Sequence, residues 1–142
     1  MIVHKHIILR IEANKPPVEQ ELKTWMVELV DKIGMKILAG PISADVVTIP
    51  GNCGPTCVCI IETSHIACHV WNETDPALIQ LDVYTCGPFD PKDVIEHIQV
   101  WEPTKVEYKY FTLTVGIITV PSLNRSHREF TTFTELFLKS VS

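Results

Sequence analysis

The apolar positions of this chain follow two rhythms. Leu22, Trp25, Met26, Leu29, Val30 and Ile33 recur at i, i+3, i+4, i+7, i+8 and i+11, one face of a helix. Pro17 stands near the start of that stripe, Glu19 and Glu21 fall in its first turn, and Gly34 lies just past its end. Proline fits a first turn, carboxylates complement the N-terminal dipole, and glycine accepts the left-handed residue that closes a helix. Residues 4–12 instead alternate and predict a strand, stopped by Asn14-Lys-Pro-Pro17.

Short strands are predicted at 35–39 and 43–49, separated by Gly40-Pro41, then a loop over Pro50-Gly-Asn-Cys-Gly-Pro55. Residues 57–61, 65–71 and 78–86 read as further strands. Asp90-Pro91 reads as an N-cap with proline at the first helical position. Val94, Ile95, Ile98 and Trp101 form the inward face of that second helix, which should end near Glu102-Pro103. Residues 105–120, rich in Val, Tyr, Phe, Thr and Ile, predict one long strand or two shorter ones. This order predicts an α+β two-layer sandwich: a mostly antiparallel sheet with two helices on one face. The other face is left for something else, naturally a partner subunit. Residues 1–120 would form the domain. Residues 121–142 would form a tail in which Phe130, Phe133, Leu136, Phe137 and Leu138 fit a short amphipathic helix of unassigned role.

Composition narrows the partners. Apolar residues make up 46% and charged residues 20%, as in ordinary globular proteins. A formal charge of −5 without any Lys/Arg-rich run argues against nucleic acid or an anionic membrane as partner. No apolar stretch is long enough to span a bilayer, and Met1-Ile-Val-His-Lys-His6 lacks the plan of a secretion signal, so a cytosolic protein is expected. The five cysteines, Cys53, Cys57, Cys59, Cys68 and Cys86, are an odd number crowded mid-chain, unlike a disulfide framework. A zinc site using Cys53, Cys57, Cys59 and His65 or His69 would need paired knuckles, and Cys57-x-Cys59 is a poor one. No metal is therefore expected.

One segment stands apart: Glu62-Thr63-Ser64-His65-Ile66-Ala67-Cys68-His69-Val70-Trp71-Asn72-Glu73, followed by Asp82-Val83-Tyr84-Thr85-Cys86-Gly87. It resembles the signature of bacterial and archaeal S-adenosylmethionine decarboxylases. There a Glu-x-Ser-His element leads into His-Thr-Trp-Pro-Glu, and an Asp-x-Phe-Thr-Cys-Gly strand follows. Gly54-Pro55-Thr56, eight residues before Ser64, sits where that family has Gly-x-Ser. The likeness covers roughly residues 4–118. The sequence departs from it at Asn72 for proline, at Val70 for threonine, at Cys68 for an aliphatic residue, and in a longer 73–82 connection.

The resemblance implies autocatalytic cleavage between Thr63 and Ser64. The Ser64 hydroxyl would attack the Thr63 carbonyl, and elimination and hydrolysis would leave residues 1–63 and a 64–142 chain capped by a pyruvoyl group. That ketone would form a Schiff base with the amine of S-adenosylmethionine and accept the electrons released with carbon dioxide, giving the aminopropyl donor for spermidine. His69 would be the processing base and Thr56 the processing hydroxyl, the latter retaining the hydroxyl of the family's serine. Cys86 would be the proton donor, since a thiol is ordinarily protonated at neutral pH. Trp71 and Glu73 would hold the adenosine, and two processed units would dimerise by stacking sheets. Two alternatives stand: a homologue decarboxylating arginine or ornithine, and a non-cleaving relative acting by binding.

Strand parity adds an independent expectation. His65, Ala67, His69 and Trp71 share one face, and Ile66, Cys68 and Val70 the other. Ser64 has the wrong parity for the His69 face, so the chain should bend or bulge there.

Overall fold

The computed structural model describes residues 3–114. In chain order the elements are β1 (Val3–Ala13), α1 (Glu19–Lys32), β2 (Ile37–Val46), β3 (Gly54–Ile61), β4 (Ser64–Trp71), β5 (Ala77–Thr85), α2 (Pro91–His97), a 3-10 turn (Ile98–Trp101) and β6 (Pro103–Thr114). The strands form one sheet in the order β2-β3-β4-β5-β1-β6, and every neighbouring pair is antiparallel. The helices form a single second layer, so the fold is the α+β sandwich expected. The tail expectation for 121–142, and any strand beyond Thr114, fall outside the described residues.

Alternation is why the sheet has two distinct faces. In β1 the side chains of Ile7, Leu9, Ile11 and Ala13 are fully buried toward the helices, while His4, His6, Ile8 and Glu12 are only partly covered. In β4 Ile66, Cys68 and Val70 are buried, and His65, Ala67, His69 and Trp71 line the open face, the partition expected from parity. The helix stripe Leu22, Trp25, Met26, Leu29 and Val30 closes over this core, joined from α2 and its turn by Val94, Ile98 and Trp101.

Local chemistry explains the ends of α1. The Glu21 carboxylate accepts the Val18 N–H at 3.0 Å, which is half of a capping box. At the other end Gly34 takes φ +71°, its N–H donates to Asp31 O, and the Met35 N–H donates to Val30 O at 3.0 Å. These paired bonds are the Schellman closure that a glycine permits. In α2, Asp90 accepts the Lys92 N–H at 2.9 Å, and the helix tightens into the 3-10 turn, which Glu102 (φ +51°) closes ahead of β6.

Two expectations change. The segments 35–39 and 43–49 fall largely in one strand, β2, whose register against β3 slips between Ile37 and Ala39 and again across Gly40-Pro41. As the edge strand, β2 can carry a proline that donates nothing. A Cβ on Gly40 would lie 3.0 Å from Val58 O, so the irregularity brings the two backbones close. Of the bend or bulge expected at Ser64, the bulge is absent and the bend is present. β4 keeps continuous register from Ser64 to Trp71 against both β3 and β5, and the redirection occurs instead in the Ser64 backbone, at φ +150°.

Candidate active site

β3 and β4 are joined by the two-residue turn Glu62-Thr63, and Ser64 is the first residue of β4, opposite Ile61 on one side and Thr85 on the other. A non-glycine residue at this φ costs about 1–3 kcal/mol and persists only when its neighbours over-determine it. They do so here. The Thr63 carbonyl accepts the Cys86 N–H at 3.0 Å and the Cys86 thiol at 3.3 Å. Beneath it, the Gly87 N–H donates to Thr85 Oγ1 (2.8 Å), Thr85 donates to Thr63 Oγ1 (2.6 Å), and Thr63 donates to Met35 Sδ (3.4 Å). Thr85 is the fully buried polar side chain of the described residues, and this relay satisfies it. A Cβ at position 87 would press to 3.2 Å from Thr63 Cγ2, which explains the glycine. Thr85-Cys86-Gly87 thus works as a clamp on the Thr63–Ser64 peptide.

A second cluster occupies the far end of β4. Thr56 and His69 are cross-strand partners, and Thr56 Oγ1 lies 3.1 Å from His69 Nδ1. The His69 and Trp71 rings are 5.9 Å apart, and Trp71 Nε1–H donates to Asn52 Oδ1 at 2.9 Å. The Glu73 carboxylate accepts the N–H groups of Cys53 and Gly51, each at 3.0 Å, and these bonds hold it below the usual carboxylate range. Trp71 and Glu73 therefore brace the 50–53 loop.

The structure brings together Thr63, Ser64 and Cys86, and separately Thr56, His69, Trp71 and Glu73. It does not bring the two groups together within one chain. Five residues of extended strand put His69 roughly 17 Å from Ser64.

On the open face, between and beside these clusters, lie groups the sequence reading passed over. Ser64 Oγ is 3.2 Å from His65 Nδ1. His65 pairs in register with Tyr84, whose hydroxyl lies 2.7 Å from His4 Nδ1, and His6 Nε2 lies 2.9 Å from Asp82 Oδ1. The available signal was period two: His4 and His6 in β1, like Asp82 and Tyr84 in β5, must share a face.

The cysteines other than Cys86 divide by layer. Cys57, Cys59 and Cys68 are buried on the helix side, where burial pushes the Cys57 thiol up to about 11 and also raises Cys59 and Cys68. His65 and His69 face the opposite way, so the zinc set cannot converge. A cavity of about 810 Å³ between α1 and the α2 region, floored by Trp25 and Trp101, contains none of the candidate catalytic or substrate-binding residues.

Fold and site together define a two-layer α+β domain with a strained serine at the start of a central strand. The family model of S-adenosylmethionine decarboxylase matches residues 8–114. The chain belongs to that family. A similar solved structure is the adenosylmethionine decarboxylase of Aquifex aeolicus VF5, with a TM-score of 0.60 at 22% identity over 77% of this chain and 88% of that one.

Proposed function

We propose that this chain cleaves itself between Thr63 and Ser64 and then, as a pyruvoyl enzyme, decarboxylates S-adenosylmethionine. The observation that carries the reading is the clamp. The Thr63 carbonyl is polarised by the Cys86 N–H at 3.0 Å, while the next residue is a serine held at φ +150°. An N–H donor aimed at a carbonyl stabilises the oxyanion that forms when a hydroxyl attacks it. Family membership supports the substrate.

A pyruvoyl group at position 64 supplies a ketone that condenses with a substrate amine and takes up the electron pair left by carbon dioxide. The residues present fit such a group. The chain end at 64 would stay paired to β3 and β5, and the exposed Cys86 thiol beside it is placed to return a proton to substrate. Thr56 and His69 form a hydroxyl–imidazole pair suited to removing the Ser64 α-proton during maturation.

That pair lies too far from Ser64 in its own chain, and the open sheet face offers the resolution. Val58, Ile60, Phe111 and Leu113 are exposed there at 39–56%. Packed sheets stand about 10 Å apart. A second copy stacked on this face with its β4 reversed sets His69 of one copy over Ser64 of the other. The working unit is then a homodimer with two composite sites, each adenosine lying near Trp71 and Glu73.

Intact mass of the purified protein under denaturing conditions tests the chemistry. Fragments 1–63 and 64–142, the second bearing a ketone instead of a serine amine, are expected. One full-length mass persisting through long incubation overturns the reading. Release of carbon dioxide from carboxyl-labelled S-adenosylmethionine, but not from arginine or ornithine, tests the substrate.

A further inference from the structure

We propose that His65 is the base that starts maturation, by taking the hydroxyl proton of Ser64. This rests on the self-cleavage reading and assigns a step that the Thr56–His69 pair does not reach. Ser64 Oγ lies 3.2 Å from His65 Nδ1, and His69 is five residues further along the same strand, roughly 17 Å away. The His65 ring is not loose. It lies 5.6 Å from the Tyr84 ring at 41°, and Tyr84 is its cross-strand partner. Tyr84 is fixed in turn by its 2.7 Å bond to His4 and by the edge of the His6 ring at 5.2 Å. With its own proton on Nε2, the imidazole presents Nδ1 as an acceptor to the hydroxyl.

The step balances within the chain. Ser64 Oγ–H gives its proton to His65 Nδ1 as Oγ bonds the Thr63 carbonyl carbon, closing a five-membered ring. The carbonyl π pair moves onto oxygen, facing the Cys86 N–H. As that pair returns, the Thr63–Ser64 C–N bond breaks and the Ser64 nitrogen takes the proton back from His65. The product is an ester with a free amine, and His65 ends as it began. Loss of the Ser64 α-proton comes afterwards and belongs to another base.

Two variants of the full chain separate the steps. His65→Asn keeps a polar atom near the Nδ1 position and cannot carry the proton; His65→Ala removes the group. Both sit at an exposed position, and an unchanged melting temperature confirms the fold. Precursor loss is followed by intact mass, and hydroxylamine, which cuts esters and spares amides, reports whether the ester has formed. The expected result is at least about 100-fold slower precursor loss in both variants, the usual contribution of a general base. No hydroxylamine-labile ester should accumulate, and added imidazole should restore the rate in His65→Ala. Cleavage of the variants at the wild-type rate overturns the assignment, and so does build-up of ester, which would place His65 at the later step. A wild-type chain that never cleaves removes the maturation reading itself, an outcome distinct from a cleaving wild type with equally fast variants.

Discussion

The backbone N–H of Cys86 meets the carbonyl oxygen of Thr63 at 3.0 Å, and the Cys86 thiol reaches the same oxygen at 3.3 Å. One residue therefore offers two donors of different kinds, and they separate by mutation. Cys86→Ala keeps the N–H and loses the thiol. Cleavage should continue within about tenfold of the wild-type rate, while decarboxylation by the cleaved protein falls by about 100-fold or more, as expected for loss of a general acid. Parallel mass and carbon dioxide assays check this; equal losses in both would mean that the thiol serves maturation as well.

Thr85 links Gly87 to Thr63 through its hydroxyl while fully buried. Thr85→Val preserves shape but strands the Gly87 N–H and removes the donor to Thr63 Oγ1. Leaving such groups unpaired costs about 1–3 kcal/mol. Thermal unfolding of an uncleavable Ser64→Ala background, with and without Thr85→Val, should show that loss, and in the Ser64 chain cleavage should slow. Thr85→Ser should cleave like wild type.

The proposed composite site makes a complementation prediction. Ser64→Ala and His69→Ala chains should each be inert alone. Co-expressed, they form mixed dimers in which the Ser64 of the His69→Ala chain meets an intact His69 on the other copy. About one site per mixed dimer should mature, and the cleaved fragments should carry the His69→Ala mass. No cleavage on mixing would place His69 in action within its own chain, or remove it from maturation.

Glu73 supplies a pH signature. Its folded carboxyl lies below its ordinary range because Cys53 and Gly51 N–H groups bond the ionised form. A depressed carboxyl stabilises the fold above its unfolded pKa, and that contribution is lost as pH falls through the folded value. Melting temperature followed downward from pH 6 should decline less steeply in Glu73→Gln than in wild type, with the gap between the curves closing below the ordinary glutamate pKa. Parallel curves would show that the loop contacts carry no linkage.

Thiol labelling reads the layers directly. Cys86 is exposed, whereas Cys57, Cys59 and Cys68 are buried with thiols raised by burial. A brief alkylation at neutral pH should modify Cys86 first and leave those three until unfolding. Peptide mapping that finds Cys57 labelled early would contradict the packing of β3.

What could be foreseen from the sequence was what periodicity and punctuation encode. The stripe from Leu22 to Val30, with its glycine stop, records burial on one side of a helix, and the alternation from Ile66 to Trp71 records two faces of a strand. β2 was harder to foresee because Gly40-Pro41 carries the same signal whether it ends a strand or kinks an edge. The residues of the site were visible as a motif, but their grouping was not. Nearness of Ser64 to His69 in sequence becomes distance along a strand, while Cys86, twenty-two residues from Ser64, becomes adjacent through pairing of β4 with β5. The side-chain contacts of His65 with Ser64 and of Thr85 with Thr63 are ones that no spacing rule announces.

The hairpin between β3 and β4 has one more consequence. A cut there divides the chain into a piece holding β1, β2 and β3 and a piece holding β4, β5 and β6. In the order β2-β3-β4-β5-β1-β6, three of the five strand boundaries then join different pieces: β3 to β4, β5 to β1, and β1 to β6. β1 is wedged between two strands of the other fragment, like a tongue in a groove. Maturation at this turn would yield two polypeptides that remain interlocked, so that neither could leave or be exchanged without unzipping the sheet. A backbone severed at this turn would leave the sheet still holding the new chain end in place.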